Sequence, residues 1–170
     1  MGKIKQGSAK GGKGNTDDFK EEDLRQPKAD SIERDKRHGY DHKNGTKDGK
    51  SVSYALWDTP PTNKELVYVK KADHTFVFSP RPKNDLNQRN RGRATLPHSM
   101  LGAGEAVIGA GECETNEEGK ITRADNFSGH YQPNEKNLKE TKKNFEQQGH
   151  AAGGAKYEVF DRTGKVIKSL

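Results

Sequence analysis

Hydrophobic residues are scarce in this chain and unevenly placed, which limits how much of it can fold around a core. They make up 28% of its 170 residues, against 33% charged, whereas a packed domain usually has about 45–50% apolar residues. Residues 1–50 are especially poor in them. A stretch of this kind buries too little apolar surface to offset its conformational entropy. We therefore expect a disordered, basic, Gly- and Lys-rich tail over residues 1–50 and one domain over residues 51–170.

The domain is expected to have an α+β fold, with a small and mainly antiparallel sheet of hairpins and one principal helix. Alternating apolar residues between turn formers predict strands. Besides a strand at 51–57, the predicted hairpins join 65–71 with 75–79, 104–114 with 120–124, and 157–160 with 165–167. The helix is predicted over 134–148, because Pro133 precedes it and Gly149 can end it.

Charge and composition narrow the classes of partner. The net charge of +6 favours anionic partners. No run approaches the ~18 apolar residues of a membrane span, and no hydrophobic block follows the basic start, so neither a span nor a secretory signal peptide is expected. The single cysteine, Cys113, excludes an internal disulfide and a multi-cysteine zinc site. His38, Asp41 and His42 lie in a glycine-rich, loop-like tract, and we expect no metal there.

The most specific pattern is a block of small residues around two histidines. It consists of PHSMLGAG at 97–104, GAGE at 109–112 and SGHYQP at 128–133. Its glycines allow backbone to approach backbone or a ligand closely. From residue chemistry alone, the block is also compatible with tight turns and bulges in a sheet, with structural histidines and with a capping turn before the helix.

This block resembles the C-terminal domain of the plant IQ-motif calmodulin-binding proteins, and also the C-terminal toxin domains of bacterial Rhs-type polymorphic toxins. The resemblance covers roughly residues 64–150. It implies a toxin-like context, namely a delivered or secreted bacterial effector that acts on a protein or RNA target in the target-cell cytoplasm, with a cognate immunity protein as a candidate partner. Because no Ile-Gln-x-x-x-Arg motif is present, calmodulin is not expected as a partner.

Within that context, a Glu-x-Glu pair at Glu112 and Glu114 resembles the pair of ADP-ribosyltransferases, which implies NAD as substrate. The expected catalytic residues are His98, Ser99, Glu112, Glu114 and His130. In this hypothesis His98 and Ser99 hold the nicotinamide ribose, and Glu114 stabilises the oxocarbenium-like centre or orients the acceptor. If His98 and Ser99 lie on a strand, their side chains point to opposite faces, so His98 is expected to pair with a distant group such as His130 or Glu112. The expected NAD contacts are Gly104, Ser128, Gly129 and Tyr131.

Two other functions remain open from the sequence. The first is a ribonuclease or nucleic-acid-binding toxin that uses His98 and His130 as acid and base. The second is a non-enzymatic protein-interaction domain. A basic loop supplies candidate docking residues for RNA or an acidic partner, namely Arg81, Lys83, Arg89, Arg91 and Arg93. A solvated strand face at Glu112 and Glu114 is the structural alternative to a catalytic pair.

Overall fold

Two β-sheets and three helices make up the part of the chain that the computed structural model describes, residues 18–81 and 95–170. The helices are α1 (Ala29–Arg37), α2 (His98–Leu101) and α3 (Glu135–Gln147), with 3₁₀ turns at Glu21–Asp23 and Ser53–Ala55. The strands are β1 (Tyr40–Asp41), β2 (Thr46–Lys47), β3 (Lys50–Ser51), β4 (Glu65–Lys71), β5 (Phe76–Pro80), β6 (Val107–Thr115), β7 (Ile121–Asp125), β8 (Ala151–Phe160) and β9 (Val166–Ser169).

The larger sheet has six strands in the order β5-β4-β6-β7-β8-β9. All its neighbours are antiparallel except β7 and β8, which are parallel and are connected through α3. The three predicted hairpins correspond to β4–β5, β6–β7 and β8–β9, and each pairs as expected. The predicted α+β class, with a mainly antiparallel sheet and one principal helix, is confirmed.

Strand β4, near the centre of this sheet, is buried on both faces. Successive side chains of a strand point to opposite faces, and Leu66 and Tyr68 join one hydrophobic cluster while Val67 and Val69 join another. Leu138 and Phe145 of α3 pack into the first cluster. The two helical residues are seven positions apart, so they lie on one side of the helix and form the narrow apolar stripe that covers this face.

The opposite face carries the block of small residues and histidines. Leu101 of α2 and Tyr131 of the 128–133 turn pack there against Val67, Val69 and Val107. This face therefore brings the PHSMLGAG and SGHYQP segments together, although about thirty positions separate them in the sequence.

Residues 18–50 differ from the disordered tail that the sequence predicts. They form α1, β1, β2 and the first residue of β3, and they lie against the face that carries the histidine block. Arg25 forms a two-way backbone bridge with Val107, with N···O distances of 2.8 and 2.9 Å. The rest of the predicted tail, residues 1–17, lies outside the described residues. The apolar count missed this segment because the buried side chains of α1 are polar, namely Ser31 and Asp35.

The strand predicted at 51–57 is also largely wrong. Ser53–Ala55 forms a 3₁₀ turn, and Trp57 makes an isolated bridge to Phe78 of β5.

Among the described residues, no helix has the length and apolar character that a membrane crossing requires.

Candidate functional site

The His98-Ser99 pair lies on a short helix, not on the strand that the sequence predicts. Pro97, in extended conformation, precedes α2, and its fixed φ angle suits the start of a helix. Both side chains point into the protein: His98 is 8% exposed and Ser99 is fully buried. They contact different groups, since His98 bonds to Gly111 and Ser99 bonds to Asp35.

Ser99 belongs to a buried polar cluster centred on Asp35 of α1. The Ser99 hydroxyl lies 2.6 Å from Asp35 Oδ2. His130 Nε2 lies 2.9 Å from Oδ2 and 3.1 Å from Oδ1 of the same carboxylate. His42 Nε2 lies 3.1 Å from both Asp35 Oδ2 and Ser99 Oγ. The cluster therefore joins the N-terminal segment to both halves of the histidine block.

An ionised carboxylate can only accept hydrogen bonds, and this indicates which atoms of the cluster carry protons. Asp35 accepts, so the Ser99 O–H and the Nε2–H groups of both histidines donate to its carboxylate. Ser99 Oγ then also accepts from His42 Nε2. His42 Nδ1 is buried without a hydrogen-bond partner. A catalytic Ser-His-Asp relay needs the opposite arrangement, in which one imidazole nitrogen accepts the serine proton and the other donates to the carboxylate. Here the same nitrogen of His42, Nε2, faces both the serine and the carboxylate. The geometry therefore fits a carboxylate held by three donors and does not fit a relay.

The ionisation of Asp35 reflects the same contacts. Burial by itself raises the pKa of this carboxyl, but the hydrogen bonds from His130 and Ser99 outweigh it, and the pKa lies below its usual range. Asp35 is therefore an anion at neutral pH, and the donors around it compensate for its removal from water.

His98 has a different partner. Its Nε2 lies 2.8 Å from the backbone oxygen of Gly111 in β6 and donates to it. Burial lowers the pKa of His98 to about 4, so the ring is neutral at physiological pH. The bond fixes α2 on the sheet. His130 or Glu112 is the partner expected from the sequence, but this nitrogen contacts Gly111 instead.

Glu112 and Glu114 lie two positions apart on β6 and so share one face of the strand. Arg81 Nε lies 2.9 Å from Glu112 Oε2 and its Nη1 lies 3.4 Å from Glu65 Oε1. Glu114 is opposite Glu65 on β4 and Arg123 on β7. The pair is thus part of a charged region on the sheet, separate from the Asp35 cluster.

The residues expected to contact NAD belong to the histidine block, and two of them, Ser128 and Tyr131, bond to groups within the protein. The Tyr131 hydroxyl donates to the Glu105 backbone oxygen at 2.8 Å, and Ser128 Oγ accepts from the Tyr131 amide at 3.3 Å. Gly104 has a φ of +75°, and a Cβ there would lie 3.2 Å from the Cβ of His42. At Gly129, in contrast, a Cβ would meet open space. These residues shape the turns that hold Ser99 and His130.

Of the predicted docking residues, Arg81 is described and forms the ion pairs given above. The other four lie outside the described residues, namely Lys83, Arg89, Arg91 and Arg93.

Within residues 18–81 and 95–170, no set of three His, Cys, Asp or Glu side chains is placed to hold a metal ion.

Asp35 and His42 complete the cluster, and the sequence placed both in a disordered tail. Asp35 was missed because apolar residues are sparse around it, and His42 was considered only as a metal ligand and set aside because its tract is rich in glycine. One signal was present: Ser31 and Asp35 are four positions apart, so they share one face of a helix. Polar residues at that spacing do not register in a search for apolar periodicity.

A second surface combines lysines with exposed apolar side chains. A groove between α3 and β9 is lined by Lys139, Lys142, Lys143, Lys168 and Leu170, together with Glu146 and Ser169. Beside it, Val166 is 44% exposed and Ile167 is 59% exposed. We call this region, residues 165–170 with the lysines of α3, the β9 surface. Each α3 lysine in it pairs with a glutamate of the same helix, and exposed pairs of this kind contribute little stability.

Residues 59–138 match the family model described as the IQ motif-containing protein middle domain. The match begins before β4 and ends within α3, and it contains Ser99 and His130 but not Asp35. It covers slightly less than half of the chain, so the chain is similar to this family over that segment. No curated protein and no solved structure matches the chain at a significant level.

This match supports the resemblance to IQ-motif proteins and corrects the function expected from the sequence. It points to an IQ-motif protein, so the expectation of a bacterial toxin or effector, whether an ADP-ribosyltransferase or a ribonuclease, is wrong. It contains nothing on Rhs toxin domains. It also opposes the exclusion of calmodulin as a partner. Binding of NAD and the cellular location are not tested by the match or by the structure, and they stay predictions.

Proposed function

We propose that this chain is a protein-binding domain whose partner is an acidic, calmodulin-type protein, and that the β9 surface is the contact. The observation that carries the proposal is the exposed apolar pair Val166 and Ile167, placed between Lys165 and Lys168 beside the lysine groove. The similarity to IQ-motif proteins supports the choice of partner.

The chemistry of the β9 surface complements that of such a partner. Calcium-loaded sensor proteins of the calmodulin class expose a hydrophobic groove rich in methionine. Their targets combine apolar anchors with basic residues. Adjacent strand residues point to opposite faces, so we take Ile167, the more exposed of the two, as the apolar anchor. Lys165 and Lys168 flank this strand and supply positive charge, although Lys168 also pairs with Glu135. Since the chain has no Ile-Gln-x-x-x-Arg motif, the contact we propose is made by the folded surface and not by an IQ helix.

The geometry of the Asp35 cluster is a second argument for a binding function. Ser99 and His98 are buried, and their polar atoms are engaged in bonds that join α1, α2 and the sheet. These bonds stabilise the scaffold that carries the β9 surface.

The test is calorimetric titration of the full chain with purified calmodulin, once with calcium and once with a calcium chelator. We expect saturable binding that weakens as salt is raised, because screening reduces attraction between opposite surface charges. Replacing Ile167 by Glu is expected to weaken binding at least about tenfold, which is the scale of a buried interface anchor. Lys143→Glu is expected to weaken it less.

Matched control variants are available away from the β9 surface. Tyr54 is 81% exposed, so Tyr54→Glu introduces the same charge at another exposed large hydrophobic residue. Lys50→Glu reverses an exposed charge on β3. Both are expected to bind like the unmodified chain. The proposal is wrong if calmodulin does not bind in either condition, or if Tyr54→Glu weakens binding as much as Ile167→Glu.

A further inference from the structure

Helix α1 is attached to the domain in an unusual way. A surface helix normally docks through an apolar stripe, but the buried side chains among the nine residues of α1 are Ser31 and Asp35. Asp35 is therefore a principal anchor of this helix, and its side chain is 6% exposed. The Lys28 amide, just before α1, also donates to the His130 backbone oxygen at 2.8 Å, so the carboxylate is the main side-chain contact of a helix that backbone bonds also hold.

The groups that hold this carboxylate come from distant parts of the sequence. Ser99 is 64 positions away and its Oγ lies 2.6 Å from Asp35 Oδ2. His130 is 95 positions away and its Nε2 contacts both carboxylate oxygens, at 2.9 and 3.1 Å. Both residues lie within the segment that matches the IQ-motif middle domain, whereas Asp35 lies outside it. A hydroxyl and an imidazole N–H that converge on two oxygens form a receptor of the kind that recognises an anion.

We propose that Ser99 and His130 form a carboxylate-binding site, which α1 fills from within the chain through Asp35. The ligand class is a carboxylate, supplied either by a small free acid or by an acidic side chain of a separate peptide. His42 adds a third donor, with Nε2 3.1 Å from Asp35 Oδ2. An open groove beside His42 is lined by two lysines, Lys36 and Lys43, and by one carboxylate, Asp41. This inference is independent of the calmodulin proposal.

The test is chemical rescue of the full chain carrying Asp35→Ala, which removes the carboxylate and leaves its donors. Sodium formate is titrated in, and thermal unfolding is compared with sodium chloride at equal ionic strength. Occupancy of the site stabilises the folded state. At formate about ten times its dissociation constant, we expect the unfolding midpoint to rise by about 3–5 °C beyond the chloride value. The His130 ring signals in a ¹⁵N NMR spectrum are expected to shift with the same saturation curve.

A second arm distinguishes the two ligand sources. A peptide with the sequence of residues 28–43 is added to the Asp35→Ala chain, beside the same peptide with Asp35→Asn. Rescue by formate identifies a site that accepts free acids. Rescue by the first peptide alone identifies a site that requires an acidic side chain on a helical segment. Both results support the proposal. Absence of a saturable effect in both arms overturns it.

Matched variants separate this site from general salt effects. Glu33 is an exposed carboxylate on the same helix, and Glu33→Ala is expected to show no response to formate beyond that to chloride. Asp35→Asn fills the space and is expected not to respond. Adding Ser99→Ala to Asp35→Ala is expected to reduce the affinity for formate about tenfold, the scale for losing one hydrogen bond to a charged group. If Asp35→Ala is unfolded alone, the same titration is followed as formate-dependent folding, and failure to fold overturns the proposal.

Discussion

Gly111 of β6 and Asp125 of β7 lie so close together that a side chain at position 111 would overlap the backbone of Asp125. A Cβ built on Gly111 meets both the carbonyl oxygen and the carbonyl carbon of Asp125. The same carbonyl accepts the Tyr68 hydroxyl at 2.6 Å, and the Asp125 side chain accepts the amide of Glu112 at 2.9 Å. Hydrogen bonds thus hold both the carbonyl and the side chain of Asp125, and they oppose a shift that would make room for a Cβ.

We therefore expect Gly111→Ala to reduce the free energy of unfolding by about 3 kcal/mol, the upper range for overpacking. The matched control is Gly129→Ala, because a Cβ on Gly129 has no heavy atom within 4 Å, and we expect it to change stability by less than about 0.5 kcal/mol. Urea unfolding of the two variants measures the difference. Equal stabilities would contradict the close approach of β6 to the Asp125 backbone.

The Asp35 cluster predicts a specific acid sensitivity. Because hydrogen bonds from His130 and Ser99 hold the pKa of Asp35 below its usual range, the folded state favours the ionised carboxyl more than the unfolded state does. This contribution is fully present above the unfolded-state pKa of about 3.9 and is lost as pH falls through the folded-state value. We expect Asp35→Asn to cost about 2 kcal/mol at pH 5, and the cost to shrink at pH 3.

Urea unfolding at both pH values, with Glu33→Gln as the exposed control, measures this effect. The control is expected to show a small cost that changes little with pH. A cost of Asp35→Asn that is the same at pH 5 and pH 3 would mean that the carboxylate form of Asp35 is not what the cluster stabilises.

The sheet was predictable from the sequence where its strands alternate. Leu66, Val67, Tyr68 and Val69 point alternately to two hydrophobic clusters, and apolar and β-branched residues are what a strand search detects. The principal helix was predictable from Pro133 before it. The expected end at Gln148 is close to the observed end at Gln147, as expected for the frayed last turn of a helix.

The candidate site was predictable only in part. The block containing Ser99 and His130 stood out because its glycines and histidines have a specific spacing. Its partner Asp35 did not, because a buried carboxylate on a polar helix looks like a solvated residue until its donors are known. The contact spans 95 positions, and no local pattern encodes which distant donors will surround a carboxylate. The helical turn of His98 and Ser99 was missed for a related reason: four residues are too few to show a period.

Lys70 of β4 predicts a second dependence of stability on pH, of the same sign but in the alkaline range. Its side chain is fully buried, and its Nζ donates to the His74 backbone oxygen at 2.6 Å. Burial lowers its pKa to about 8, although Glu140 and Asp73 oppose that shift. Between this value and the unfolded-state pKa of about 10.4, the unfolded chain binds more protons, so the contribution of Lys70 to stability rises with pH.

We therefore expect the unmodified chain to gain about 2 kcal/mol relative to Lys70→Met between pH 7 and pH 10. At pH 7 the variant is expected to be within about 1 kcal/mol of the original, since replacing a buried charge by an apolar side chain is often neutral. Chemical unfolding across this pH range measures the difference, and Lys50→Met on β3 serves as the exposed control. A constant difference between the two chains would mean that Lys70 does not titrate in the folded state near pH 8.

Asn137 of α3 is the residue at which the principal helix, the sheet and the N-terminal segment meet. Its Nδ2 donates to the backbone oxygens of Ile108 at 2.8 Å and Asp23 at 3.0 Å, while its Oδ1 accepts the Asn134 amide at 2.9 Å. The side chain is 1% exposed. Replacing it by Asp keeps the size and the acceptor, but it turns a carboxylate oxygen toward two carbonyl oxygens.

We expect Asn137→Asp to cost about 3 kcal/mol, the scale for leaving buried polar groups unpaired and placing a charge among them. The control Asn134→Ser retains a side chain that caps helices and is expected to cost less than about 0.5 kcal/mol. Hydrogen exchange adds a local readout, because the Arg25 amide, bonded to Val107 beside this contact, should lose protection in Asn137→Asp more than the amides of β4 do. Equal loss at both places would mean that Asn137 supports the whole fold and has no particular part in holding the N-terminal segment against it.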